Sequence, residues 1–198
     1  MKVKVTITSA LLGFFISLSG ISAESPYRLR NFDMRIQGTS NIRDWESKAT
    51  VMHLELEFDN DDEGDPSFDS LSTMIIRVPV ADIEGSIRGM NRTMQRAMKA
   101  DRFPETIFRL DIDEEMKETL ANERFNIRTQ GTLEMAGVTR KVDVSGRGRR
   151  LDDGDILLGG SSSLKMSDFN IDPPTLLFGA LRTRDEIEIV FTLRLTRK

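Results

Sequence analysis

Hydrophobic and polar residues alternate with a period of two along most of the chain after residue 24. In one run Met52, Leu54 and Leu56 fall on one face, whereas His53 and Glu55 fall on the other. This pattern is typical of antiparallel strands that bury one face. It recurs in about eight segments, at residues 30–38, 49–58, 71–80, 108–112, 125–135, 141–149, 156–166 and 187–195. Many short alternating strands predict a barrel or a sandwich.

One segment has helical spacing instead. Its apolar residues recur every three or four positions and include Met90, Met94 and Met98. Ser86 is a suitable N-terminal cap, and the helix should end near Asp101, because a proline follows closely. The methionine stripe either lines a flexible apolar pocket or belongs to an ordinary core. The basic residues of the opposite face either hold a phosphate-bearing head group or are simply solvated.

Small residues interrupt the predicted inward face of the middle strands. Gly146 and Gly148 follow two valines at intervals of two residues, so they belong to the same face of the strand. Gly160 and Ser162 continue the apolar face of the next strand in the same way. A tightly packed core favours larger side chains, so these positions predict a hollow interior that holds one small or elongated ligand. The alternative is that the glycines mark bulges or barrel corners.

Composition excludes several function classes. The chain has 28 basic and 32 acidic residues, a net charge of −4, which argues against binding nucleic acid through overall positive charge. It has no cysteine and one histidine, so disulfides, thiolate chemistry and multi-histidine metal sites are excluded. The acidic run at residues 59–65 has Ser70 where a calcium loop needs a glutamate, and we predict a solvated hairpin tip. No metal site and no catalytic residue are predicted, since His53 falls on a polar strand face.

The first 23 residues have the layout of a secretory signal peptide. Lys2 and Lys4 precede an apolar run at residues 10–18, which small residues follow. That run is too short to span a bilayer comfortably, and no later segment is long enough. We therefore expect a signal peptide at residues 1–23 and one soluble domain at residues 24–198. Because a chain without cysteine cannot be anchored through an acylated cysteine, the periplasm is the expected location.

Three sequence blocks resemble the YceI-like family of periplasmic lipid-binding proteins. Residues 90–108 contain a helix, an Asp-x-Phe-Pro turn and the start of a strand. Residues 131–140 are similar to the family's G-x-L-x-x-x-G-V-T-(R/K) hairpin, and residues 164–172 to its late strand and aromatic turn. The resemblance covers essentially all of residues 25–198. It implies an all-β protein with one or two short helices, a lipocalin-like eight-stranded antiparallel β-barrel whose hydrophobic lumen binds a polyisoprenoid or similar lipid.

The resulting hypothesis is a non-catalytic periplasmic protein that sequesters or carries a polyisoprenoid or quinone-like lipid, with no other cofactor. Trp45 is expected near the mouth of the lumen. Arg92 and Arg182 are the candidates for contacts with a polar head group. The expected apolar lining consists of Met90, Met94, Met98, Phe108, Phe125, Met166, Phe169 and Phe178.

Two other functions stay open at this point. The first is a structural or interaction module with a filled barrel, which serves an envelope stress or redox pathway through a partner. The second is an enzyme that acts on a lipid, for which His53 is the only evident base. Exposed sheet edges or the loop at the mouth could support a homodimer in either case.

Overall fold

The alternating segments build one antiparallel sheet. A computed structural model describes residues 25–59, 66–85, 88–176 and 180–198. The described strands are β1 (Tyr27–Ser40), β2 (Trp45–Ala49), β3 (His53–Phe58), β4 (Leu71–Pro79), β5 (Ile83–Gly85), β6 (Glu105–Asp111), β7 (Arg124–Met135), β8 (Val138–Arg150), β9 (Ile156–Lys165), β10 (Thr175–Leu176) and β11 (Leu181–Arg197). The described helices are α1 (Arg88–Ala97) and α2 (Glu114–Leu120), and single 3-10 turns occupy Phe68–Ser70, Val80–Asp82 and Met166–Phe169.

The strands follow the order β3-β4-β6-β7-β8-β9-β11-β1-β2-β5, and β10 pairs with β11. The sheet curls into a half-barrel, which confirms the predicted all-β, barrel-like fold class. Eight of these strands correspond to the predicted segments. The additional strands β2, β5 and β10 are two to five residues long, too short for the alternation to identify them.

Several expectations concern residues outside the described ranges. They are the signal peptide at residues 1–23, the Ser86 cap, most of the acidic run and the placement of Phe178.

The two helices differ from the prediction in length and number. Helix α1 ends at Ala97, four residues before the expected end, because Lys99 has a left-handed backbone with φ 55°. Helix α2 was not individually predicted, although the expected fold class allowed one or two short helices. Asp113 caps it, since its side chain accepts a hydrogen bond of 2.9 Å from the backbone N–H of Met116.

A row of aromatic rings packs in the core of the barrel. Tyr27 contacts Phe58 and Phe68 at centroid distances of 6.0 and 5.5 Å, and Phe68 contacts Phe125 at 6.4 Å. Such offset and edge-to-face pairs add to the free energy gained by burial. Phe125 is therefore part of this packed row.

The glycines of the middle strands allow close packing where the sequence analysis expected empty space. A Cβ atom on Gly148 would lie less than 3.0 Å from the ring of Phe125, its cross-strand partner. A Cβ atom on Gly146 would lie equally close to the backbone of Gly159 and Gly160. The void predicted beside these glycines was thus wrong at these described positions, because rings and strand backbone fill it.

Candidate functional site

Two apolar cavities lie inside the curled sheet. One has a volume of about 120 Å³ and the other about 100 Å³. They share the lining residues Met34, Val78, Thr106 and Ile189, so they adjoin end to end along the lumen. The first cavity is also lined by large apolar side chains that include Phe68, Leu71, Met74, Ile76, Phe108, Leu110, Met116, Leu133, Leu158 and Phe191.

Methionine side chains dominate the second cavity. Helix α1 contributes Met90 and Met94, and the turn after it contributes Met98. Met135 comes from strand β7 and Met166 from the turn after β9. Methionine has three rotatable bonds and a polarizable sulfur atom, so its side chain adapts to the shape of an apolar ligand. This cavity is suited to a flexible hydrocarbon chain rather than to one rigid shape.

The second cavity continues into a polar vestibule of about 450 Å³. Trp45, Met90 and Thr183 line both spaces. The ring of Trp45 covers its cross-strand partner Gly38, and its Nε1 donates a hydrogen bond of 3.2 Å to the carbonyl of Thr39. The vestibule is further lined by the charged residues Arg43, Asp44, Glu46, Lys48 and Glu84. An amphiphile can therefore place its chain in the cavities and its polar end here.

Two buried hydroxyl groups on this path have no hydrogen-bond partner among the described residues. Thr106 Oγ1 lies where the two cavities meet, and Ser47 Oγ lies beside the vestibule. Ser47 is only 1% exposed, so water does not readily satisfy it. Leaving a buried hydroxyl without a partner is unfavourable. Both groups are therefore buried polar atoms without a partner in the wall of this path.

The structure brings most of the predicted lining residues together. Met90, Met94, Met98, Met166 and Trp45 surround the second cavity, with Trp45 also at the vestibule as expected for a mouth residue. Phe108 lines the first cavity.

Other predicted residues lie elsewhere. Phe125 and Phe169 are buried at 5% and 1% exposure in the core and line neither cavity. Arg92 is exposed on α1, and Arg182 lies on β11 with its backbone N–H bound to Asn41 Oδ1 at 2.8 Å. Neither arginine lines the cavities or the vestibule, but each adjoins a threonine that lines the second cavity.

Sequence reasoning missed the four residues shared by the two cavities. Met34, Val78 and Ile189 have the apolar parity of their strands, so they could have been identified as inward-facing. That they line the lumen could not have been predicted, because this depends on which strands meet across the barrel. Thr106 carried no signal, since threonine is common on both faces of a strand.

The strongest electrostatic cluster surrounds Asp155, which lines neither cavity. Its carboxylate accepts hydrogen bonds from Thr196 at 2.5 Å, from Arg194 at 2.6 Å and from Arg30 at 3.1 Å. These bonds, led by that from Thr196, lower the pKa of Asp155 to about 2 although burial opposes them. The cluster ties the start of β9 to β11 and β1, which is a structural role.

The described residues offer few other groups for catalysis or metal binding. His53 is exposed on β3 and lies outside the cavity linings. In the part of the chain that the structure describes, no three His, Cys, Asp or Glu side chains are grouped to hold a metal ion. Neither of the two described helices is long and apolar enough to cross a membrane.

Comparisons with known proteins agree with this geometry. A polyisoprenoid binding domain from Saccharophagus degradans, implicated in plant cell wall breakdown, has a TM-score of 0.69 at 12% identity and covers 88% of this chain and 100% of its own. BcnA from Burkholderia cenocepacia has a TM-score of 0.59 at 17% identity, with 82% and 95% covered. No curated protein matches the chain. The model of the YceI-like domain family matches residues 27–195, and the chain therefore belongs to that family.

Proposed function

We propose that this protein binds one polyisoprenoid or quinone-like lipid in its lumen and carries or sequesters it without catalysing a reaction. The observation that carries the proposal is the pair of adjoining apolar cavities that opens into a polar vestibule. This gradient from apolar to polar surface matches a molecule with a long hydrocarbon chain and one polar end.

The affinity would come from burial of the hydrocarbon chain. Each methylene group that leaves water contributes about 0.8 kcal/mol. A chain of several isoprene units thus offsets the loss of translational and rotational freedom on binding. Because the lining is rich in methionine, chains of different length can be accommodated by changes of rotamer.

The polar end of the lipid would occupy the vestibule. There charged groups of both signs surround the space. Arg92 and Arg182, which flank lining residues of α1 and β11, stay our candidates for a longer-range contact with a head group.

We further propose that the protein works in the periplasm as one domain at residues 24–198, after removal of a signal peptide at residues 1–23. The charged amino terminus and the short apolar run support this proposal. The lipid class is supported by the polyisoprenoid binding domain that shares the fold. If a homodimer forms, the edge strands β3 and β5 are the surfaces available for strand pairing.

The test is mass spectrometry of organic extracts from protein purified gently from a periplasmic fraction. We expect an isoprenoid or quinone in a one-to-one ratio to the protein. The double variant Phe108→Arg/Met166→Arg introduces a charge into each cavity and should lose the lipid. The control Thr139→Arg/Ser163→Arg adds the same charge at exposed positions and should retain it.

Folding of each variant is checked by circular dichroism. Lipid retained by a folded Phe108→Arg/Met166→Arg protein would overturn the assignment of the lumen. An empty extract from the parent, together with no binding of added isoprenoid, would favour the structural or interaction module with a filled barrel.

A further inference from the structure

A second candidate site lies outside the lumen, on the outer face of the sheet. It is an open groove of about 1220 Å³ across β7, β8, β9 and β11. Four arginines line it, together with a single carboxylate, Glu188. We call it the arginine groove, and its arginines are Arg124, Arg128, Arg147 and Arg149.

The register of the strands places like charges together. Arg124 of β7 is directly opposite Arg149 of β8, and Arg147 is one outward position further along, opposite Asn126. Neighbouring strands are about 4.8 Å apart and outward positions about 7 Å apart along a strand. Like charges in directly opposite positions destabilise a sheet. Arg124 and Arg149 also border a space lined by Glu123, Asp152 and Asp153, but neither forms an ion pair with those carboxylates. The two facing guanidinium groups are therefore available to an anion.

The arginines of this groove have no ion-pair partner among the residues that the structure describes. None of the four lies within 4.0 Å of a described carboxylate or makes a side-chain hydrogen bond to the described residues, and all four are exposed. Several arginines elsewhere on the protein are paired, as Arg35 is with Asp33, Arg77 with Glu55 and Arg109 with Asp111. The chain as a whole is acidic, with 28 basic and 32 acidic residues. A cluster of unpaired positive charge is thus a local feature of this face.

The floor of the groove combines small and polar residues with two half-buried apolar ones, Leu157 and Val190. Ser145 and Ser161 are opposite each other, and Gly159 lies next to them beside Arg147. A Cβ atom on Gly159 would have its nearest neighbour at 3.6 Å, so strand packing does not require glycine there. The glycine leaves this part of the floor without a side chain. Asn126 and Thr192 add an amide and a hydroxyl to the lining.

The residues that line the arginine groove favour some classes of polyanion over others. The two aromatic residues of the groove, Phe125 and Phe191, lie on the inward face, where they pack in the core, so they do not offer exposed rings for stacking nucleic acid bases. A concave surface also fits a chain better than a flat bilayer. Hydroxyl and amide groups between arginines are suited to sugar hydroxyl groups between anionic groups.

We propose that the arginine groove binds an acidic polysaccharide, a glycan chain that carries carboxylate or phosphate groups. The planar guanidinium group binds either anion through two parallel hydrogen bonds. Ser145, Ser161 and Asn126 would contact the sugar hydroxyl groups. This site is separate from the lumen and does not depend on the lipid-binding proposal.

The test measures binding of polygalacturonate to the full protein by isothermal titration calorimetry, at low and at physiological salt. We expect saturable binding that weakens with salt, and none to neutral dextran. The double variant Arg124→Gln/Arg149→Gln should weaken binding about tenfold or more, since two charge-assisted pairs are lost. The matched control Arg28→Gln/Lys141→Gln removes the same charge at exposed positions outside the groove and should change affinity less than about twofold.

Two further measurements separate a lost site from a misfolded protein. The Arg124→Gln/Arg149→Gln variant should have an unchanged or higher Tm, because a like-charged pair is removed. It should also retain its extracted lipid. Equal loss of affinity in both double variants would overturn the proposal, as would tighter binding of phosphatidylglycerol vesicles or polyuridylate than of polygalacturonate through the same arginines.

Discussion

The contact between β8 and β9 can be tested by adding a single methyl group to Gly146. This residue pairs with Gly160 of β9. The Cβ atom of an alanine at position 146 would lie less than 3.0 Å from the backbone oxygen of Gly159 and from the Cα atom of Gly160. Because both are backbone atoms, no change of side-chain rotamer relieves the overlap. The two strands have to separate.

The expected loss follows from two opposing contributions. Overpacking of a filled interior costs about 1–3 kcal/mol. Replacing glycine by alanine also restricts the unfolded chain, which stabilises the folded protein by about 0.4–1 kcal/mol. We therefore expect Gly146→Ala to lower the free energy of unfolding by about 1–2 kcal/mol, which changes the folding equilibrium by a factor of about 5–30.

Gly159→Ala is the matched control on the adjoining strand. Its Cβ atom would meet nothing closer than 3.6 Å, so only the effect on the unfolded chain applies. This variant should be as stable as the parent or more stable by about 0.4–1 kcal/mol. Urea unfolding followed by far-ultraviolet circular dichroism measures both variants, and equal m-values would show that the comparison is valid.

A Gly146→Ala protein as stable as Gly159→Ala would refute the reasoning. It would mean that β8 and β9 do not approach as closely as the pairing of Gly146 with Gly160 requires.

Two further predictions concern polar groups. The pKa of Asp155 is about 2 in the folded protein, below the ordinary 3.8, so the stability it contributes is present above about pH 4 and is lost as the pH falls towards 2. Asp155→Asn should flatten the Tm profile between pH 2 and 5, and a profile as steep as the parent's would contradict this. Thr106→Val removes a buried hydroxyl without a partner and should raise the free energy of unfolding of the lipid-free protein by about 1 kcal/mol. Thr73→Val removes a buried hydroxyl that is hydrogen-bonded, at 3.3 Å to Arg109, and should lower it in the same urea assay.

The barrel-like fold could be predicted because its strands are long and half-buried. An alternation of two residues over seven or more positions, as in β7, β8 and β11, admits only one interpretation. The short strand β2 forms because β1 is present to pair with it, and β5 forms because β2 is present in turn, so both depend on tertiary structure. The early end of α1 depends on the left-handed backbone of Lys99, and a lysine in the sequence does not indicate that conformation.

The candidate site was predicted unevenly for a similar reason. Met90 and Met94 lie on one stripe of α1 and Met98 continues it in the turn after the helix, so local periodicity is enough to group them. Phe125 was placed in the lumen because it is large and inward-facing, yet it packs over Gly148 and against Phe68. Parity along a strand distinguishes inside from outside, but it cannot distinguish a packed ring from one that borders a cavity.

The sequence by itself determined which residues face inward, the antiparallel strands and the family, because these depend on periodicities and motifs within short segments. Only the tertiary structure decided where the interior is empty. The two cavities meet at Met34, Val78, Thr106 and Ile189, which come from four different strands. The arginine groove likewise depends on the register between β7 and β8. Cavity shape and charge proximity are properties of distances between strands, and those distances are set only when the whole sheet pairs and curls.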